Sequence, residues 1–507
     1  MNKICVIFSL VLALSAQQTV FGQPFDKAEA LNLWNRGRNV TGIRNDSVTM
    51  SYAEIYGGLK SGDFHDSYEA SDLWNAGIAA KTTVHNAKFS MNGSFSFDQA
   101  TGKNMCGSMF INPGYYPVDV LEFTPGKKSL QTYSFSGGIA TEISGHWRIG
   151  GKIDFESANY SKRKDLRHTN YRLDMTIAPS VMWFAGDIKA GLSYVFEKSS
   201  ESIKPEQIGT ATADSYYAFL DKGLMTGTYE VWNGSGVHLY EAGVNKFPVK
   251  ELSNGAALQF QWKSLYADAE WLHTEGEVGE KSFTWYKFPG NKISARLGGK
   301  FVSPRATHLV NARFSYLDQD NRESVINKVN ENGVTTPHIY GYNKIFERRV
   351  MSYCADYRMF SNKWEAGLSL GYNHRQGLSS LIYPYKTLQN VDQYEADGSA
   401  LYHLSRFDIG AKLSFFTGSL TESEEMDVAD SGVGSKPYRL ADYYALQKEY
   451  LTVDRLGGSL SLRYNIIGGL LKGSYAEISG SLLHGFDLVS ISGSERLAGC
   501  LKIGYNF

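Results

Sequence analysis

The chain closes on Ser494–Phe507, SERLAGCLKIGYNF. From Leu497 onward every second residue is apolar or small: Leu497, Gly499, Leu501, Ile503, Tyr505, Phe507. Ala498, Cys500, Lys502, Gly504 and Asn506 lie between them, with Arg496 just before. A period of two puts successive side chains on opposite faces of a strand, one apolar and one wet. The same alternation recurs through most of the chain. His146–Glu156 sets Trp147, Ile149, Ile153 and Phe155 against Arg148, Lys152, Asp154 and Glu156. Tyr171–Trp183 sets Tyr171, Leu173, Ile177 and Val181 against Arg172, Asp174, Thr176 and Ser180. Asp187–Glu197, Ile293–Phe301, Trp364–Tyr372 and Leu456–Ile466 read in the same way.

The terminal pattern, with Tyr505 and the carboxyl-terminal Phe507 on one face, resembles the C-terminal signal strand of Gram-negative outer-membrane β-barrels. That resemblance extends over nearly the whole mature chain. It implies insertion by the barrel assembly machinery, with Tyr505 and Phe507 as the assembly signal. It also implies a cell outer membrane location in contact with lipid and lipopolysaccharide.

Bulk composition agrees with one large β domain. The 507 residues include 51 Gly, 32 Tyr and 27 Phe but only 12 Pro, and no Pro/Ser-rich linker divides them. Net charge is −1, which leaves no global field for a nucleic acid. Mean hydropathy is −0.30, as a barrel whose lipid face is hidden in alternation can have. Of four cysteines, Cys5 falls in the leader; Cys106, Cys354 and Cys500 are odd in number and widely spaced, so no disulfide framework or CxxC site is expected.

Residues 1–22 read as a signal peptide: Lys3, an apolar run from Ile4 to Leu14, then cleavage after Gly22 or near Ala16. Residues 23–46 are the one mature segment without strand character. Ala28–Trp34 there could form a short helix, in the periplasm or folded back into the barrel mouth. Residues 47–507 form the barrel. Short turns are expected at Val84–Lys88, Ser144–Trp147, Ala185–Asp187, Trp262–Leu265, Ser303–Thr307, Ser361–Lys363, Ser405–Phe407 and Ile466–Leu471. Longer polar loops separate them, and Trp147, Trp183, Trp262, Trp271 and Trp364 cluster at strand ends. Short inner turns, long outer loops and aromatic girdles belong to an all-β, antiparallel, up-and-down transmembrane barrel, of about 18 strands with 16 as the alternative.

The wet face supplies the candidate lumen lining: Arg148, Lys152, Asp154, Arg172, Asp174, Lys189, Arg296, Lys300, Arg313, Asp356, Arg358, Lys412, Arg463 and Lys502. Both signs are present in near balance, so strong ion selectivity is not expected. Among the loops, Ser161–His168 (SKRKDLRH) is a basic tip that could meet lipopolysaccharide phosphates, and Thr421–Asp430 is an acidic, solvated run. The loop Ser200–Ser253 carries Tyr216, Tyr217, Phe219, Tyr229, Trp232 and Tyr240, an unusually aromatic set expected to serve recognition. Asn104–Phe123 is a second apolar loop that could pack against it. The eleven histidines are scattered and no GxSxG, HExxH or P-loop occurs, so no enzyme, metal site or cofactor is expected. Three functions stay open: a channel or uptake pore for polar solutes, a non-conducting surface-binding barrel or accessory subunit working with a partner lipoprotein or transporter, and a hatch-gated transporter of hydrophobic compounds with Ala28–Trp34 as the hatch.

Overall fold

The computed structural model describes residues 24–164, 166–206, 216–233, 236–239, 242–244, 246–280, 283–331, 334–380, 386–423 and 440–507. The leader at 1–22 lies outside them. One antiparallel sheet runs β1 (Met50–Ser61), β2 (Asp72–His85), β3 (Phe89–Ser108), β4 (Asp119–Ser144), β5 (Trp147–Lys162), β6 (His168–Ala185) and β7 (Ile188–Pro205). Four short strands follow within one outer loop: β8 (Tyr216–Asp221), β9 (Gly227–Asn233), β10 (Gly236–Leu239) and β11 (Ala242–Val244). The wall resumes with β12 (Phe247–Trp262), β13 (Leu265–Glu280), β14 (Phe283–Val302), β15 (Ala306–Glu331), β16 (Val334–Ser361), β17 (Trp364–Ser379), β18 (Thr387–Leu404), β19 (Phe407–Ser423), β20 (Arg455–Asn465), β21 (Ser474–Gly485) and β22 (Glu495–Asn506). Without the four loop strands, the wall has eighteen.

Closure comes from β22 pairing with β1, in a register that sets Tyr505 opposite Ala53 and Leu497 opposite Ser61. A closed sheet leaves no edge, so every strand backbone can be satisfied inside lipid. The eight expected short turns are the eight tight connections at one end of the barrel. Both the start of β1 and Phe507 lie at that same end, where Ser51 and Phe507 exchange backbone hydrogen bonds of 3.1 and 2.9 Å.

The alternation resolves into an outside and an inside. Ile149, Ile177, Leu192, Leu297, Leu368, Leu460, Leu501 and Ile503 all point outward and are exposed. An aqueous protein would not leave such a belt uncovered; a bilayer covers it. Trp147, Trp183, Trp262, Trp364 and Phe407 ring the barrel beside the tight turns, at the level of a headgroup region. The protein is thus an outer-membrane β-barrel. Several strands run well past the roughly 9–11 residues a bilayer needs. β4 and β15 have 26 residues and β16 has 28, so the wall rises as a cup above the membrane.

Two sequence readings are corrected here. The loops are shorter than Ser200–Ser253 and Asn104–Phe123, because β7 continues to Pro205, β12 starts at Phe247, β3 reaches Ser108 and β4 starts at Asp119. The polar-looking ends of these strands are paired wall above the bilayer, where the lipid-facing alternation no longer applies. Segment 23–46 is also not alone in lacking strand character. A helix, α2 (Leu440–Thr452), lies inside the cup with Leu440, Tyr444 and Tyr450 buried.

The barrel exterior predicts its own sensitivity. Leu297 is 66% exposed and lies a few residues up β14 from the tight turn, within the lipid band. Leu297→Arg should cost about 2–4 kcal/mol, read as a lowered urea midpoint for folding into vesicles. The inward Ser294→Arg should cost far less.

Candidate functional site

The lumen is divided by chain that folds into it from both ends. From the inner end enters residues 24–46: helix α1 (Pro24–Leu31) and two 3-10 turns, Leu33–Arg36 and Val40–Asn45. Asn32 and Asn39 start the two turns, each side chain accepting from the backbone N–H two residues on. Trp34 is fully buried, packed with Leu33, Met182, Tyr266, Leu309 and Phe360. Val40 and Ile43 pack on Ala140.

Polar contacts fasten this floor around the wall. Lys27 pairs with Glu365 at 2.7 Å, and Asp26 with Lys81 at 3.1 Å. Arg38 donates to both oxygens of Glu270 at 2.6 and 3.0 Å and to Glu197 at 2.7 Å. Gln259 accepts from the Asn39 backbone N–H at 2.6 Å and donates to the Trp34 carbonyl at 3.1 Å. The wall is notched to receive the segment. A Cβ at Gly191 would meet Asn39 at 2.6 Å and Trp34 at 2.7 Å, and one at Gly138 would meet Val40 at 2.6 Å.

From the outer end comes a roof. Loop residues 109–118 turn inward, and Arg348 donates to the carbonyls of Gly114 at 2.6 Å and Tyr115 at 2.5 Å. The Tyr116 hydroxyl meets Ser199 at 3.0 Å, and Asn321 donates to Pro117 O at 3.3 Å and Lys222 O at 3.1 Å. The β8–β9 hairpin packs on it: Ala218 and Leu220 join Met109, Phe110 and Tyr116 in one buried cluster, and Phe219 joins Leu121, Met225, Leu440 and Tyr444 in another. Helix α2 completes the roof. Gln393 donates to Leu451 O at 2.9 Å, Gln389 to the Tyr444 hydroxyl at 2.8 Å, and Lys448 pairs with Glu422 at 2.9 Å.

Between floor and roof lies a cavity of about 500 Å³. Its lining joins the floor's Arg38 to wall residues Arg172, Asp174, Arg296, Arg313 and Arg358, all of them inward candidates from the sequence, and to Arg348 and Arg375, which were not among them. Tyr115, Tyr116, Tyr443 and Tyr444 line the roof side. Of the other inward candidates, Arg148 donates to Asn45 at 3.0 Å and Lys300 to Leu31 O at 3.0 Å, beneath the cavity at the floor. Lys189 lies beside those two in charge range. Asp356 pairs with Arg313 at 3.0 Å. Lys152–Asp154 at 3.4 Å, Lys412–Asp397 at 3.2 Å, Arg463–Glu477 at 2.5 Å and Lys502–Glu54 at 4.0 Å are ion pairs of the wall away from the cavity.

The aromatic loop set divides. Phe219 is buried in the roof, and Tyr229 packs against it with ring centroids 5.1 Å apart. Tyr217 is half-buried. Tyr240 and the side chains of Tyr216 and Trp232 lie outside the described residues. The basic tip is less free than its sequence suggests. Lys162 is buried against Glu122 at 2.5 Å and Leu166 and His168 are buried, so Arg163 and Lys164 are its exposed cations. Of the acidic run, Glu422 is not solvated but bound to the roof helix; residues 424–430 lie outside the described residues. Among the described residues no three potential ligands are grouped for a metal, and Cys106, Cys354 and Cys500 are free thiols.

A barrel with a floor, a roof and a chamber between them fixes the architecture, and a family model matches residues 40–507. The chain belongs to DUF6850, a family of unknown function. No curated protein matches it in sequence. The DUF6850 protein is similar at low identity to several solved structures. The siderophore receptor PirA from Acinetobacter baumannii is 9% identical, with a TM-score of 0.41 over 91% of this chain and 81% of that one. The FrpB iron transporter from Neisseria meningitidis is 9% identical, with a TM-score of 0.41 over 91% and 82%. Acinetobacter baumannii OccAB3 is 11% identical, with a TM-score of 0.33 over 91% and 100%.

The roof of the DUF6850 barrel carries a pH-sensitive set. Burial pushes the Asp66 and Asp221 carboxyls up to about 7 and Asp119, opposite Asp221, up to about 8, with repulsion from Glu69 adding to the rise at Asp66 and from Asp221 at Asp119. Such groups support the folded roof below the usual carboxylate range, and that support is lost as pH rises through about 7. Amide exchange at 113–118 and 221–226 should therefore accelerate by about tenfold from pH 5 to pH 8 beyond the intrinsic rate. Asp221→Asn should flatten the profile.

Proposed function

We propose that the protein is a gated uptake barrel for polar solutes, with residues 24–46 as its hatch. The observation that carries this reading is the fit of that segment inside the barrel. It is seated against wall glycines and held by ion pairs and hydrogen bonds, with Trp34 as its chief apolar anchor. An apolar plug packed to core density would be a permanent part of the fold. A plug held in part through polar contacts to a polar wall can exchange them for water as it moves; the Arg38 pairs, largely shielded from solvent, are the costly ones to break. A barrel of eighteen strands is wide enough to leave an aqueous passage once such a segment moves. The charged cavity above the hatch suits polar cargo, and it disfavours the hydrophobic compounds of the third sequence reading. A surface-binding role alone gives the notched, charged lumen nothing to do.

Conductance of the refolded protein in planar bilayers tests the proposal. The native chain should be largely silent. Arg38→Ala, which strands Glu197 and Glu270, and Gly191→Val, which fills the seat of Asn39 and Trp34, should each produce open steps. So should removal of residues 24–46. Silence in all three, with heat-shifted gel mobility showing an intact barrel, would favour the non-conducting accessory role instead.

A further inference from the structure

The chamber's charges divide into paired and unpaired groups once their partners are assigned. Eight carboxyl groups line it, and five have a cation within 4 Å: Asp174 with Arg172 at 2.8 Å, Glu197 and Glu270 with Arg38 at 2.7 and 2.6 Å, Glu251 with Lys292 at 2.8 Å, and Asp268 with Arg296 at 3.8 Å. The other three, Asp66, Asp119 and Asp221 on the roof side, are in no ion pair among the described residues, and burial pushes them up to about 7 to 8, so below neutral pH they are largely uncharged. Arg313 has Asp356. Three guanidinium groups are left over. Arg348 donates only to neutral acceptors, namely Gln319 and the carbonyls of Gly114 and Tyr115. Arg375 has Tyr68 and Asp66 as its nearest electrostatic neighbours but, among the described residues, no ion pair or hydrogen bond. Arg358 makes neither among the described residues and is exposed to the lumen.

Strand register puts these cations on one side of the chamber. Arg375 stands opposite Val350 on β16, and Arg348 stands opposite Gly377 on β17, so the two are diagonal neighbours on the same inward face. Arg358 is ten residues further down β16, about 33 Å along the strand. Between those levels Arg313 faces Cys354 of β16 and directly opposes Arg296 of β14. Like charges directly opposed, as Arg296 and Arg313 are here, weaken a sheet. Arg36 of the floor lies within charge range of Arg296 and Arg358. Uncompensated cations in a confined polar chamber are costly alone and favourable beside an anion. Guanidinium forks match carboxylate and phosphate oxygens with paired hydrogen bonds. Gln319, Gln376 and Gln389 stand among them as neutral partners.

We infer that the chamber binds a small, multiply charged anion bearing carboxylate or phosphate groups, captured by Arg348 and Arg375 beneath the roof and passed toward Arg358 at the floor. This deepens the uptake reading and rests on it for direction of travel, but binding itself can be measured whether or not the hatch moves.

The test is calorimetric titration of the full-length refolded protein at low ionic strength with citrate, with inorganic pyrophosphate and with neutral maltotriose. One of the two anions should bind, and the tighter one assigns the charged group. Arg348→Gln/Arg375→Gln should weaken that binding by about tenfold or more. Arg358→Gln, at a residue that makes no contact the fold depends on, should weaken it less and leave gel mobility unchanged. Affinity should fall as salt is raised. No binding of either anion, equal binding of maltotriose, or full affinity in both variants would overturn the inference. Silence of Arg38→Ala, of Gly191→Val and of the chain without residues 24–46, with the anion still bound by the native barrel, would instead overturn the hatch and leave the anion site standing.

Discussion

Pairing of β22 with β1 is the contact on which everything else rests. In lipid an unpaired strand edge has no solvent to satisfy it, so the sheet must close or leave the membrane. Closure at eighteen strands fixes the circumference, and the circumference fixes how much lumen must be accounted for. Side chains alone fill a barrel of about eight strands. Here the wall's inward residues meet along neighbouring strands, as Arg463 meets Glu477 and Lys412 meets Asp397, or over a few strands, as Lys292 meets Glu251. Across the middle the chain must supply its own filling or admit water.

It does both, and the two fillings differ in kind. The roof is core-like: Met109, Phe110, Tyr116, Leu220, Phe247 and Phe288 are buried together above the bilayer, where the extended walls of β4, β15 and β16 shelter them. The floor is fastened by ion pairs and hydrogen bonds together with a smaller apolar set, Phe25, Leu33, Trp34, Val40 and Ile43. Local stability follows buried apolar contact. The floor is thus the weaker of the two closures, and the segment best able to move is the one nearest the inner end. The buried carboxyls of Asp66 and Asp221 give the roof a separate, pH-dependent weakness.

The barrel was legible in the sequence because its main rule is local. A strand exposed to lipid on one face writes its period into consecutive residues, so Trp147–Phe155 and Leu497–Phe507 declare themselves, and tight turns punctuate them. Above the membrane that rule lapses. β16 continues far above the lipid band, and α2 is hidden between Pro437 and Asp454 by tyrosines that read as loop aromatics. Its signal was present in the Gly- and Pro-free run LADYYALQKEYLT, with Leu440 and Tyr444 one turn apart and Asp442 in the first turn. The inward face was readable residue by residue, and Arg172, Arg296, Arg313 and Arg358 do face the cavity. Arg348 and Arg375 escaped because the Tyr and Asn residues around them blur the alternation in the upper halves of β16 and β17.

What no reading of one strand can give is the pairing of charges between strands. A count of lumen residues is nearly neutral, and neutrality alone suggests a lumen indifferent to sign. Register adds which charges are paired. Placing Asp268 opposite Arg296 and Lys292 within reach of Glu251 consumes carboxylates, while Arg348 and Arg375 fall beside glycine, valine and glutamine positions. The same residues slipped by two along β17 would carry Arg375 away from its place diagonal to Arg348 without changing either composition or face. Selectivity in such a lumen is therefore a property of register and of what the inward-folded loops offer. Here the loops offer Arg348 the carbonyls of Gly114 and Tyr115, which hold its position without pairing its charge; Glu251 is its carboxylate neighbour, reached through Gln319.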